Sequence, residues 1–130
     1  MKLAIVGSRD YHDYNAFKQK VKDVIASCGS GFAERTTAGS GSVECIVSGG
    51  ATGTDAMAER FAREMEIDLI VFSADWKKYG LRAGPIRNTR IVNESDYMIA
   101  FPSRKSGKGT QDSIRKAQKK GISVVIHWVD

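Results

Sequence analysis

The sequence predicts an α/β fold, a doubly wound parallel sheet of five strands in the order 3-2-1-4-5 with helices on both faces. Three observations carry this. Short apolar runs alternate with amphipathic stretches along the chain, and a run comes first and last. The runs lack polar alternation, as in strands covered on both faces. Glycine or proline punctuates most run ends, where tight turns into helices are needed. Right-handed crossovers then leave the usual doubly wound order, with strands one and four flanking the switch point.

The elements follow in turn. "KLAIVGSRD" begins with a buried strand that stops at Gly7. Phe17, Val21, Val24, Ile25 and Cys28 recur at helical spacing and predict an amphipathic helix over 14–28. Residues 29–42, "GSGFAERTTAGSGS", predict a flexible Gly/Ser/Thr-rich insertion within a single domain spanning 1–130. "VECIVSGG" is the second strand, ended by Gly49 and Gly50. Met57, Ala58, Phe61, Ala62 and Met65 mark the second helix, with Thr54 as its N-cap and Asp55 in the favoured acidic first turn. "DLIVFSAD" is the third strand, and "WKKYGLRAG" is a loop with two aromatics. Pro85 suits the first turn of a helix near 85–95. "DYMIAFP" is the fourth strand, stopped by Pro102. Thr110 caps the last helix, with Asp112 in its first turn, Lys116, Lys119 and Lys120 in its last, and Gly121 closing it. "ISVVIHWV" is the fifth strand.

Composition narrows the function classes. A chain of 130 residues with 42% hydrophobic content supports one core. No apolar run approaches the length of a membrane span, and the N-terminal apolar stretch is too short for a signal peptide. These features predict a cytoplasmic protein with no membrane partner. Cys28 and Cys45 fall on apolar faces without a CxxC pairing and read as buried reduced thiols. His12 and His127 have no partner at metal-ligand spacing, so neither a metal site nor a cofactor is predicted. The net charge of +5 permits an anionic partner without requiring one.

Four segments should converge on the carboxyl edge of the sheet. The first offers Gly7, Ser8 and Arg9, and the second Ser48, Gly49, Gly50, Gly53 and Asp55. The third offers Arg82, Gly84, Arg87 and Asn88, and the fourth Ser106, Gly107, Gly109 and Thr110. Arg104, Lys105 and Lys108 add charge to the fourth. A strand-to-helix turn made of glycine exposes unpaired backbone N–H groups and lets a phosphate approach without a Cβ clash. "GGATG" lacks the spacing of a dinucleotide fingerprint, and "GKGT" is not a Walker loop. Arg87 near a helix start opposes the helix dipole by some tenths of a kcal/mol. Either a ligand anion offsets it, or an acid such as Asp10, Asp75 or Asp112 pairs with it.

With these residues in place, "IVGSRDY", "VSGGATGTDAMAERFA", "FSADWKKYGLRAGPIRN" and "IAFPSRKSGKGTQDSIRKA" resemble the YspA/cpYpsA-related branch of the SLOG superfamily. The resemblance covers nearly the whole chain apart from 29–42, with four motifs in order. Its relatives include the DNA-processing protein A family and the lonely-guy phosphoribohydrolases. It implies a Rossmann-like fold that binds a nucleotide or nucleotide-derived ligand. It further implies that Gly107, Gly109 and Thr110 of "SGKGTQD" hold phosphate. By the same resemblance, Arg87 and Asp112 stand in the places of the phosphoribohydrolases' catalytic arginine and acid. Asp112 is one methylene shorter than that acid, and Asn88 stands where lysine is usual.

Three functions stay open at this point. The first is binding of a nucleotide-derived small molecule, as in a sensor. The second is hydrolysis of the N-glycosidic bond of a nucleoside monophosphate, with Arg87 on the ligand anion and Asp112 stabilising the developing positive sugar. The third, ranked lowest, is binding of single-stranded nucleic acid, with Tyr11, Trp76 and Tyr79 as stacking platforms. Trp128 on the terminal strand is a candidate contact for a second copy in a homo-oligomer.

Overall fold

Strand β1 (Lys2–Gly7) forms the middle of a five-stranded sheet in the computed structural model, which describes residues 1–29, 43–105 and 108–130. It pairs in parallel with β2 (Cys45–Ser48) on one side and β4 (Tyr97–Phe101) on the other. Beyond these lie β3 (Asp68–Val71) and β5 (Ser123–Ile126), also parallel, so the order is 3-2-1-4-5 as expected. Of the insertion predicted at 29–42, Gly29 ends the first helix and residues 30–42 lie outside the described residues.

Successive side chains of β1 point to opposite faces, and both faces are covered. Leu3 and Ile5 pack with Phe17 and Val21 of α1 (Tyr14–Gly29) and with Phe61 of α2 (Thr54–Glu64). Ala4 and Val6 pack with Ile91 and Val92 of α4 (Ala83–Glu94) and with Ile114 and Ala117 of α5 (Lys108–Lys120). Phe17 links the first layer, with its ring 5.1 Å from Phe101 and 6.4 Å from Phe61. The edge strands are less covered, because each has a neighbour on one side only; Leu69 and Val71 of β3 are exposed.

The helices differ in detail from the expectations. Residue 53, not Thr54, is the N-cap of α2, and the Thr54 hydroxyl donates to the Ser8 carbonyl instead, at 2.9 Å. The loop after β3 contains a four-residue helix, α3 (Trp76–Tyr79), and a 3₁₀ turn at Gly80–Arg82. Asp75 starts α3 by accepting from the Lys78 N–H at 3.1 Å. α4 therefore begins at Ala83, ahead of Pro85. α5 begins at Lys108, so Thr110 lies inside its first turn and Asp112 beyond it. Gly121 closes α5 at φ +89°, as glycine at that position should. Lys120 then donates to the carbonyls of Val92 and Asn93, occupying C-terminal acceptors of α4.

Cys45 is a buried free thiol, whereas the Cys28 side chain lies outside the described residues. Among the described residues no helix is long and apolar enough to cross a membrane.

Candidate functional site: a cationic cleft at the switch point

The winding of the chain reverses between β1 and β4, and a cleft of ≈ 350 Å³ opens there beyond the strand ends. β1 contributes Val6 and Gly7, followed by Ser8, Arg9 and Asp10. The turn into α2 contributes Ala51 and Asp55, α4 contributes Arg87, Asn88 and Ile91, and α5 contributes Lys108, Gly109, Thr110 and Ser113. A second cavity of ≈ 280 Å³ adjoins it and shares Arg9, Ala51 and Arg87. Gly49, Gly50, Thr52, Ser73, Ala74 and Trp76 complete that one.

Arg87 stands at the junction of the two. It rises from α4, donates from Nη1 to the Gly49 carbonyl at 2.8 Å, and from Nε to Asn88 Oδ1 at 2.9 Å. A guanidinium has five N–H donors, so these two bonds aim the group and leave others for the cavities. Asn88 is buried and does the positioning. Its amide nitrogen donates to the Gly109 carbonyl at 3.1 Å and to Asp112 Oδ2 at 3.2 Å, which ties α4 to α5.

The acid facing Arg87 is Asp55, not Asp10, Asp75 or Asp112. Asp55 Oδ2 accepts the Ala51 N–H at 3.1 Å, and both it and Arg87 Nη1 stand within 3.0 Å of the point that a Cβ on Gly49 would occupy. Burial pushes the Asp55 carboxyl above its ordinary range; the Ala51 hydrogen bond and the Arg87 charge offset this only in part. Burial also lowers the pKa of Arg87, against the opposing charge of Asp55, but arginine stays cationic at any working pH.

A pH dependence follows. A carboxyl with a raised folded pKa binds more protons folded than unfolded between its two pKa values, so stability falls as pH rises through that window. Asp55 should therefore contribute a loss of stability on going from its ordinary carboxylate range upward. Asp55→Asn is expected to remove that part of the slope, because the amide does not titrate. Thermal melts of both proteins from about pH 4 to pH 7 measure it; parallel curves would refute the burial argument.

Asp112 behaves differently. Burial opposes its charge, but hydrogen bonds from Lys116 at 2.7 Å and Asn88, with the charges of Lys116 and Arg115, outweigh this and lower its pKa. It does not line the cleft.

The other sequence candidates divide into groups. Gly7, Ser8, Arg9, Asp55, Arg87, Asn88, Gly109 and Thr110 line the first cavity, and Gly49 and Gly50 the second. Ser48 is wholly buried, and its hydroxyl has no hydrogen-bond partner among the described residues. Gly53 packs against the Ser8–Arg9 backbone, and Gly84 lies by Trp76; neither lines either of these two cavities. Arg82 is exposed on the 3₁₀ turn, away from both cavities. Arg104 is turned away, ion-paired with Asp130 at 4.0 Å and stacked over Trp128 at 4.7 Å. Ser106 and Gly107 lie outside the described residues. Asp10, Ser73 and Ser113 were not singled out as lining residues; each is a short polar residue in a turn or helix with no pattern to mark it.

The sheet order and the cleft define a Rossmann-like α/β protein with Arg9, Arg87 and Lys108 at the switch point. The chain belongs to the YspA, cpYpsA-related SLOG family, whose model matches residues 1–79. It is 38% identical over 86 residues to the Gene 61 protein of Mycobacterium phage D29, across 62% of this chain and 68% of that protein. Its fold is similar to that of DNA processing protein A (DprA) from Streptococcus pneumoniae, with a TM-score of 0.67 at 19% identity. That similarity covers 96% of this chain and 49% of DprA, so the chain spans about half the length of that protein.

Proposed function

We propose that the cleft binds a nucleotide or nucleotide-derived ligand through its anionic group. The observation that carries this is the aim of Arg87, held by Gly49 and Asn88 at the junction of two cavities that Arg9 also lines. The first turn of α5, Lys108 to Thr110, lines the same space with N–H groups that have no acceptor within the helix, and with a lysine. Family membership supports the same ligand class. A small ligand fits better than a nucleic-acid strand, because Arg104 of the basic loop is occupied by Asp130 and does not extend the cationic surface. Calorimetric titration with the four ribonucleoside monophosphates and a short single-stranded oligonucleotide is the test. Saturable binding of a monophosphate is expected; heat with the oligonucleotide alone, or with neither, would overturn the proposal.

Cleavage of the N-glycosidic bond is a second reading, favoured by one observation. Asp55 is an acid in the cleft beside Arg87, with a pKa raised by burial, a pattern common at catalytic carboxyls. Asp112 has both oxygens engaged by Asn88, Lys116 and Arg115. In this reading Asp55→Asn abolishes release of free base, whereas Asp112→Asn leaves turnover and costs stability by about 1 kcal/mol. Chromatography of monophosphates incubated with each variant decides it. No base released by the wild type leaves binding alone, and loss of release only in Asp112→Asn reverses the assignment.

A further inference from the structure

We propose that the second cavity is the nucleobase subsite, with the indole of Trp76 as its stacking face. The inference rests on the nucleotide-binding reading above and deepens it.

Among the described residues, Trp76 has neither an aromatic ring nor a cation against its indole, unlike four other aromatic side chains. Tyr11 stacks on Phe101 at 5.6 Å, Tyr14 on Phe17 at 6.0 Å, and Tyr79 and Trp128 lie under Lys78 and Arg104. Trp76 is 49% exposed, and an indole so placed leaves apolar surface in water that a flat ligand would cover. Its position is held from below, where the rim of the ring lies 3.4 Å from the point a Cβ on Gly84 would occupy. A Cβ at residue 84 would make an ordinary van der Waals contact with the ring. Gly49 and Gly50 line the same cavity and carry no side chains to fill it.

The surroundings match one chemical class. A planar aromatic face is sequence-tolerant for any base, because every base has a π-face. Ser73 lines the same cavity with a hydroxyl that can donate to or accept from a base edge. Arg9 and Arg87 line both cavities, so a phosphate at their junction leaves the base on the Trp76 side. An inorganic anion or a sugar phosphate would use the arginines and leave Trp76 bare.

The test exploits the presence of two tryptophans, Trp76 and Trp128. Trp128→Phe leaves Trp76 as the only indole reporter, and Trp128 lines neither cavity. This variant is titrated with the four ribonucleoside monophosphates and with ribose 5-phosphate, by fluorescence and by calorimetry. At least one monophosphate should quench Trp76 and bind tenfold or more tighter than ribose 5-phosphate. In the otherwise native chain, Trp76→Ala should abolish that advantage while leaving the affinity for ribose 5-phosphate unchanged, and Trp76→Phe should restore most of it. Equal affinities for monophosphates and ribose 5-phosphate, or an undiminished advantage in Trp76→Ala, would overturn the base subsite and leave anion binding standing. Binding of neither probe would overturn the nucleotide reading and this inference together.

Discussion

Gly53→Ala should be the most destabilising of the single glycine-to-alanine changes around the cleft, lowering stability by at least about 3 kcal/mol. Gly53 has φ +66° and ψ −121°, a region that residues with a Cβ avoid. The added Cβ would also fall 2.3 Å from the Arg9 carbonyl oxygen and 2.6 Å from that of Ser8. Both obstacles are backbone, so no rotamer change relieves them. The Ser8 carbonyl is the acceptor for the Thr54 N–H and hydroxyl, so displacing it loosens the start of α2 and the turn after β1 together. Gly80 supplies an internal control. It has nearly the same backbone angles, φ +56° and ψ −134°, with open space where its Cβ would go. Gly80→Ala should cost only the backbone strain, about 1–3 kcal/mol. Urea unfolding of both variants measures the difference. Equal losses would mean that the contact between the two turns yields without cost.

Arg87→Ala should lower affinity for a nucleoside monophosphate by roughly 10–100-fold. A charge-assisted hydrogen bond to an anion is worth about 1.5–3 kcal/mol, and no other residue stands at the junction with the same support from Gly49 and Asn88. Arg87→Lys should recover only part of the loss, because an ammonium cannot reach both the Gly49 carbonyl and a ligand oxygen in one fork. The Asp55 carboxyl should rise further in pKa in Arg87→Ala, since one of the charges that hold it down is gone. Calorimetry reads the affinity and a pH series of melts reads Asp55. Unchanged affinity in Arg87→Ala would remove the arginine from the site.

These two residues also separate what local sequence reveals from what it hides. Gly53 was legible as part of a small-residue turn, and its assignment to ligand contact came from the same signal. A tight approach between two backbones and a tight approach between backbone and ligand both call for glycine. The contact that distinguishes them involves Ser8 and Arg9, more than forty residues earlier in the chain. Arg87 was legible as a cation expected near a helix start, although α4 begins at Ala83 and places it in the second turn. Its acid was not, because Asp55 already had a local role as the favoured acidic residue in the first turn of α2.

The sequence by itself determined the alternation of strands and helices, the 3-2-1-4-5 order and the edge on which the glycine turns and cations gather. Those features depend on hydrophobic periodicity over a few residues and on the single handedness of the crossover, both written locally in the chain. Tertiary structure alone decided that Thr54 braces β1 instead of capping its helix, that Asp55 faces Arg87, and that Arg104 is spent on Asp130. It also decided that Asn88 joins α4 to α5 and that Trp76, which shares a cavity with Arg9 and Arg87, has no ring or cation against it among the described residues. Each of these depends on ångström distances between elements far apart in sequence. Hydrogen bonds and charge pairs change sharply over such distances, whereas the hydrophobic pattern that builds the fold does not.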